Sequence, residues 1–176
     1  MSITQQSLDK FGKRVVKESK TALTKKKKNA SKRLYNSISY DLNVSKNSFS
    51  LSFNMEDYGE YIDKGVHGIG GTKADGSPWV KRKTFDTEFR YKDKRPPSKV
   101  FSNWIVLKGF APRNKKGQFT SRKGLQYAIA NSVYHKGLET TQFFTNPFEN
   151  AFKVLPEEVT KSYALDVEDF LKFVLK

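Results

Sequence analysis

Apolar residues in the first part of the chain recur first at the period of a helix and then at the period of a strand. Between residues 8 and 34, apolar or small side chains share one helical face and lysines fill the others: Leu8, Phe11, Val15, Ala22, Ala30 and Leu34. This pattern predicts an N-terminal helix of about 30 residues, about 45 Å long. Gly12 and the lysine run weaken the pattern, so we expect a kink or frayed turn near residues 24–29.

Two alternating segments follow this helix. Apolar residues alternate with polar ones at Ile38, Tyr40, Leu42 and Val44, and again at Phe49, Leu51 and Phe53. Between them, residues 45–48 have the composition of a turn. The two segments therefore predict an antiparallel β-hairpin.

Short helices are predicted in the middle of the chain. Residues 55–64 form the first, which Gly65 ends. Ser98 is expected to cap a second over residues 99–107, ended by Gly109, with three side chains inward: Phe101, Trp104 and Ile105. A third covers residues 121–136 and is followed by Gly137, with one apolar face: Leu125, Ala128, Ile129 and Val133.

The C-terminal segment begins with a strong helix-start signal. Asn146 is a capping residue, Pro147 fits the first helical position and Glu149 follows at the third. Pro156 restarts or kinks this helix. A stripe of apolar residues then runs to the C-terminus: Tyr163, Val167, Phe170 and Val174.

Residues 66–97 differ from these periodic segments. Five of the chain's eleven glycines lie between Gly65 and Gly76, and the residues after Trp79 are basic and only weakly alternating. We interpret 66–97 as a glycine-rich basic arm or insertion, with room for one more hairpin. The whole pattern predicts one α+β domain over residues 1–176: a long N-terminal helix, an antiparallel sheet built on the hairpin, and two or three further helices on the C-terminal side.

Charge narrows the function classes. The chain has 33 Lys and Arg against 18 Asp and Glu, a net charge of +15, which attracts polyanions such as nucleic acid. Eleven basic residues lie between Lys10 and Arg33, whereas residues 137–176 have seven acids against four lysines. A basic end and an acidic end allow head-to-tail pairing between copies. No segment reaches the length of a membrane span, so we expect no membrane partner and a cytoplasm-like compartment.

Residues that could carry chemistry are few. The chain has no cysteine, and its two histidines, His67 and His135, are far apart in the sequence. In the glycine cluster, Gly71 stands where a phosphate-binding loop requires lysine. The acids at 56, 57, 60 and 63 have no histidine or further acid cluster nearby, so we interpret them as partners of a helix dipole. We therefore expect no enzyme activity and no cofactor or metal.

Nucleic-acid binding is the stronger alternative. Basic stretches at residues 10–33, 81–99 and 108–123 lie among or beside aromatic residues that could stack on bases. No known DNA- or RNA-binding motif is visible, so the interaction would be non-specific. The candidate residues facing DNA or an acidic partner are Lys25, Lys26, Lys27, Lys28, Lys81, Arg82, Lys83, Arg113, Lys115 and Lys116.

Three segments together resemble one family. Residues 56–66 resemble the Tyr-Ala-x-Tyr-Val-Glu-x-Gly-Thr element of the tailed-bacteriophage tail-completion, or neck (head–tail joining), proteins, with Val66 in place of Thr. Residues 144–151 are similar to that family's Pro-Phe-x-x-Pro-Ala segment, with Asn150 near the second Pro. Residues 122–130 resemble a segment of longer phage virion proteins. The resemblance covers residues 5–66 and 120–176, and 67–119 would be an enlarged insertion.

This resemblance implies a subunit of the head–tail connector that forms a ring around the DNA channel. Its expected partners are copies of itself and the portal, adaptor or tail proteins, and its expected location is the virion, after assembly in the host cytoplasm. The basic charge would face channel DNA or acidic neighbouring subunits, and the glycine-rich arm would order against an adjacent subunit. The candidate interface residues are Tyr58, Tyr61, Ile62, Gly65, Pro147 and Phe148.

Overall fold

The N-terminal helix forms because its apolar positions share one face and its first turn is capped. In the computed structural model, which describes residues 2–45, 48–114 and 116–174, helix α1 covers Ile3–Lys25. The Ser2 hydroxyl accepts a hydrogen bond from the Gln5 N–H at 3.1 Å, as expected of an N-cap. The helix has 23 residues rather than about 30, because the chain leaves helical geometry where the lysine run was expected to fray it; Lys27 has φ +54°.

The chain divides into two compact units. The first comprises Met1–Lys28, Arg33–Glu56 and Phe143–Lys176, and the second comprises Asn29–Lys32 and Asp57–Gln142. The expected α+β class, with a long N-terminal helix, a two-stranded antiparallel hairpin and several C-terminal helices, is confirmed. The single domain over residues 1–176 stays a prediction beside this division.

The first unit is built around α1 and the hairpin. After the short helix α2 (Arg33–Ser37), strands β1 (Ser39–Ser45) and β2 (Ser48–Asn54) pair antiparallel, with Leu42 opposite Leu51. Lys46 and Asn47 of the predicted turn lie outside the described residues. Helices α6 (Thr145–Phe152) and α7 (Leu155–Val174) complete the unit, and both contact α1.

The second unit joins three helices with a very short sheet. Helix α3 (Gly59–Lys64) leads into β3 (Val66–His67), which pairs antiparallel with β4 (Gly137–Leu138). A 3-10 turn over Ser98–Val100 precedes α4 (Phe101–Leu107), and α5 (Arg122–Lys136) ends at β4. The buried apolar side chains of this unit are Val66, Ile105, Ala130 and Val133.

Several predicted helix starts and faces are wrong in detail. Helix α6 begins at Thr145, one residue before the predicted cap, and has no side-chain cap bond. Pro147 is still tolerated because it lies in the first turn, where backbone N–H groups have no helical partner. Ser98 begins the 3-10 turn instead of capping α4, and α3 begins at Gly59 instead of residue 55. The buried face of α5 is Gln126, Ala130 and Val133.

The glycine-rich segment is tied to the rest of its own unit. Backbone N–H groups of Ile69 and Gly70 donate to the carbonyls of Tyr134 and His135 at 3.1 and 2.9 Å. A Cβ on Gly68 would overlap the His135 carbonyl oxygen, so only glycine allows this close approach. The further hairpin allowed for in residues 66–97 appears as one antiparallel bridge between Thr72 and Pro78, where the Lys73 N–H donates to the Ser77 carbonyl at 2.8 Å. The strand β3 pairs with β4 and takes no part in it.

Candidate assembly and polyanion surfaces

Four of the candidate interface residues lie on or beside α3 in the second unit. The exposed Tyr61 ring lies 4.4 Å from the Phe89 ring. The Ile62 carbonyl accepts hydrogen bonds from the Thr141 N–H at 3.2 Å and from its hydroxyl at 2.7 Å. Gly65 is buried with φ +83°, and Tyr58 is half-buried. Of these four, Tyr61 has the most accessible side chain.

The other two candidate interface residues lie in the first unit and are packed inward. Pro147 is buried, and the Phe148 ring lies 5.8 Å from Phe11 and 5.9 Å from Phe53. Phe144 and Phe152 stack on Phe148 at 5.9 and 5.7 Å. These contacts are those of a hydrophobic core, so they favour core packing over an interface role for Phe148.

A polar seam joins α7 to α1. The Asp166 carboxylate accepts hydrogen bonds from the N–H groups of Ile3 (2.8 Å) and Thr4 (2.9 Å) and from the Thr4 hydroxyl (2.7 Å). One turn earlier, the hydroxyls of Ser162 and Ser7 lie 2.5 Å apart. The two backbone bonds, that from Thr4 first, lower the pKa of Asp166, because donors favour the carboxylate. Asp166 thus satisfies the free N–H groups at the start of α1.

The apolar stripe of α7 faces outward. The predicted stripe residues are all exposed, together with further apolar neighbours: Tyr163, Leu165, Val167, Phe170, Leu171, Phe173 and Val174. Of the described α7 residues, Ser162 is the one that is buried. The helix therefore packs Leu155 on the core around Phe11 and, further along, places a hydroxyl and a carboxylate against α1, while its aromatic side chains face solvent. Such a face marks an interaction surface or an aggregation liability.

A groove runs along the C-terminal half of α1. It has a volume of about 610 Å³ and is lined by side chains of α1, α2 and β1, among them Lys13, Val16, Lys17, Lys20, Tyr35 and Tyr40. The Lys20 ammonium lies 5.4 Å from the centre of the Tyr35 ring. The Tyr40 hydroxyl donates to Asp9 at 2.6 Å; burial first, and this bond second, raise the pKa of Tyr40 to about 12.

Sequence reasoning missed this groove, although a signal exists. Lys13, Lys17 and Lys20 are spaced i, i+4, i+7, so they form one lysine ridge beside the apolar stripe of α1. The tyrosines opposite them come from α2 and β1, and local periodicity does not bring these three elements together.

The candidate basic residues are exposed and lie in both units. Lys25, Lys26, Lys27 and Lys28 end α1 and follow it in the first unit. Lys81, Arg82, Lys83 and Arg113 lie in extended segments of the second unit, and Lys116 lies in a turn of the same unit. Lys115 lies outside the described residues. The structure thus gives each unit a basic surface of its own, and Arg113 lies 4.2 Å from the exposed Phe119 ring.

The residues weighed for chemistry are engaged in structural contacts. His135 Nδ1 donates to the Gly70 carbonyl at 2.6 Å and its ring stacks on Trp79 at 5.1 Å. The Thr84 hydroxyl lies 3.0 Å from His67 Nδ1. Glu60 pairs with Lys64 at 2.9 Å. Over residues 2–45, 48–114 and 116–174, no group of three His, Asp or Glu side chains could hold a metal ion.

Comparison with known proteins gives no family assignment. No protein-family model, no curated protein and no solved structure matches the chain. Within the part of the chain that the structure describes, no helix is long and apolar enough to cross a membrane.

Proposed function

We propose that this chain is a structural protein of a tailed-phage virion, a head–tail connector or tail-completion subunit that forms a ring around the DNA channel. It acts by binding copies of itself and the portal, adaptor or tail proteins, without catalysis and without a cofactor. It is assembled in the host cytoplasm and retained in the virion.

The observation that carries this proposal is the outward apolar face of α7. Phe170 is 63% exposed and Phe173 is 80% exposed, on a helix that is held to α1 through Ser162 and Asp166 and, at its first residue, through Leu155. A chain with net charge +15 and mean hydropathy −0.69 has ample polar residues for such positions. Exposed aromatic side chains in one continuous stripe are typical of a surface that another protein covers.

The sequence resemblance supports the same proposal. The segment 56–66 follows a long helix and a hairpin, and 144–151 leads into the C-terminal helix, which is the order of elements implied by the tail-completion family. Tyr61 places one aromatic ring on the exposed side of α3, beside Phe89. Tyr61 is therefore the first residue of the 56–66 element to substitute in a test of assembly.

Non-specific nucleic-acid binding is the second candidate, favoured by the exposed basic segments of both units. If it is the main function, DNA affinity should fall steeply with salt and saturate at a defined site size. Charge reversal at Lys81, Arg82 and Lys83 should then reduce both the affinity and the salt slope.

The decisive experiment is electron microscopy of the purified chain without DNA, alone and with the virion proteins from the same phage. Rings in either sample support the connector role. Monomers in both samples, together with tight and salt-sensitive DNA binding, would refute the connector role in favour of the second candidate. Tyr61→Ser is the variant to use here, because it removes a ring that is 43% exposed and contacts Phe89, whereas Phe148→Ser would disturb the core.

A further inference from the structure

The last two turns of α7 extend beyond its contact with α1. Asp166 binds the start of α1 at Ile3 and Thr4, and Ser162 meets Ser7, so the two helices run antiparallel. Residues 167–174 therefore continue past the start of α1 for about 12 Å, at 1.5 Å per residue. Every described side chain in this extension is exposed.

This extension combines apolar and acidic side chains. Phe170, Leu171, Phe173 and Val174 supply apolar surface, and Glu168 and Asp169 lie beside them. Helix α7 as a whole has five carboxylates against two lysines, a net charge of −3. The projecting end itself also holds Lys172, which pairs with Glu168 at 2.7 Å, so it is a short helix with an aromatic face and a net charge of −1.

The groove on α1 has the complementary properties. Its α1 side, from Lys13 to Lys25, is about 18 Å long, enough for the 12 Å extension. Lys17, Lys20 and Lys25 supply its charge, Lys13 at its edge pairs with Asp9 at 2.6 Å, and no described lining residue is acidic. Val16 and the two tyrosines supply its apolar surface.

We propose that the projecting end of α7 docks in the α1 groove of a second copy, an interaction that rests on the proposed assembly of this chain with itself. Phe170 and Phe173 contact Tyr35 and Tyr40, and the carboxylates at 168 and 169 pair with the groove lysines. Such helix-in-groove binding uses an amphipathic helix as its ligand.

The docked helix belongs to a different copy because of where α7 leaves its own α1. The extension leaves from the end of α1 at Ile3, whereas the groove begins at Lys13 and continues away from that end. Each copy therefore offers one helix end and one groove, on separate surfaces. Contacts of this kind are head-to-tail, and they close into a ring if the rotation between copies allows it.

Two double variants of the full chain test the inference by complementation. Phe170→Gln with Phe173→Gln removes the aromatic face, and Lys17→Glu with Lys20→Glu reverses the groove charge. Sedimentation velocity at micromolar concentration measures association, and circular dichroism checks helix content. Matched controls in the second unit are Val80→Gln with Phe119→Gln, whose residues are 74% and 69% exposed, and Lys94→Glu with Lys123→Glu.

We expect each test variant alone to lose self-association by about tenfold or more, and the controls to associate like the parent chain. A 1:1 mixture of the two test variants should form a heterodimer and no larger species, because it retains one intact helix end and one intact groove. Combining Lys17→Glu and Lys20→Glu with Glu168→Lys and Asp169→Lys should restore part of the association.

Three results would overturn the inference. If the groove variant still associates while the helix-end variant does not, α7 pairs with something other than the groove. If both variants still form rings, copies meet through another surface, and the proposed connector function stands without this contact. If the parent chain is monomeric at every concentration, copies do not dock in this way, and rings formed with virion proteins in electron microscopy would still support the connector role.

Discussion

Gly12 lies in the middle of α1, where glycine normally weakens a helix. Replacing an exposed helix-interior glycine with alanine stabilises a protein by about 1 kcal/mol. Here, however, a Cβ on Gly12 would lie 2.5 Å from Cδ2 of Tyr40 and 2.8 Å from its Cγ and Cε2. Ordinary carbon–carbon contacts are about 3.5–4.0 Å, so the ring would have to move by about 1 Å.

The Tyr40 ring has contacts that oppose this movement. Its hydroxyl donates to Asp9 at 2.6 Å, and its ring lies 6.5 Å from the Phe53 ring. Overpacking of this kind costs about 1–3 kcal/mol, which exceeds the gain in helix propensity. After the gain of about 1 kcal/mol is subtracted, we expect Gly12→Ala to lower the free energy of unfolding by up to about 2 kcal/mol.

Urea unfolding followed by circular dichroism tests this expectation through the shift in midpoint. In a Tyr40→Ala background the obstacle is gone, so Gly12→Ala should instead stabilise by about 1 kcal/mol. Gly124→Ala is a matched control, because no atom lies within 4 Å of the added Cβ; since Gly124 lies in the first turn of α5, we expect stabilisation at the lower end of the usual range, about 0.5 kcal/mol.

A second measurement reports on the ring itself. The pKa of Tyr40 is raised to about 12 by burial and by its bond to Asp9. If Gly12→Ala displaces the ring, this pKa should fall towards its ordinary value near 10, as measured by absorbance titration against a Tyr40→Phe reference. Equal stabilisation by Gly12→Ala in both backgrounds, with an unchanged titration, would refute the argument.

Three further predictions concern the first unit. Ser19→Ala should stabilise it by about 1 kcal/mol in urea unfolding, because the Ser19 hydroxyl is 0% exposed and has no hydrogen-bond partner among the described residues; destabilisation would contradict this. Because the Phe53 ring contacts three other phenylalanines, Phe53→Ala should lower the free energy of unfolding in urea by roughly 3 kcal/mol. Phe53→Leu leaves a smaller cavity and should lower it by less. Asp166→Asn should lower the free energy of unfolding at pH 7. Because folding lowers the pKa of Asp166, the stability difference between the parent chain and the variant should shrink as the pH falls below about 4. A stability difference that does not change with pH would show that the ionised carboxylate is not its cause.

Periodicity predicted the elements of the first unit well. The helical stripe through Phe11 and Val15 and the alternation through Leu42 and Leu51 correspond to α1 and to the paired strands. These predictions succeed because neighbours in sequence determine helical faces and hairpin register. Gly12 is an exception. It weakens the helical pattern in the sequence, yet in the structure its missing side chain leaves space for the Tyr40 ring of β1.

Sequence periodicity does not predict contacts between segments that are far apart in the chain. That the glycine-rich segment orders against an adjacent subunit stays a prediction; within the chain, Ile69 and Gly70 bond to the carbonyls that end α5, a contact that periodicity does not indicate. Only the fold shows that residues 68 and 135 meet, because a glycine's close approach depends on its neighbours in space. The candidate surfaces show the same limit: Phe148 matches a family motif but packs in the core.

The seam between α1 and α7 lets one helix be held to its own unit and still present an apolar stripe to a partner. In most surface helices the apolar stripe holds the helix to its own domain, so that stripe cannot also bind a partner. Here the hydrogen bonds of Asp166 and Ser162 help to hold α7 against α1, which leaves the stripe through Phe170 exposed. Loss of the Asp166 bonds should therefore disturb assembly by misdirecting the stripe, even though Asp166 lies outside the proposed contact. Asp166→Asn should weaken association without changing the contact residues, whereas Phe170→Gln should weaken association and leave the fold of α7 on α1 intact.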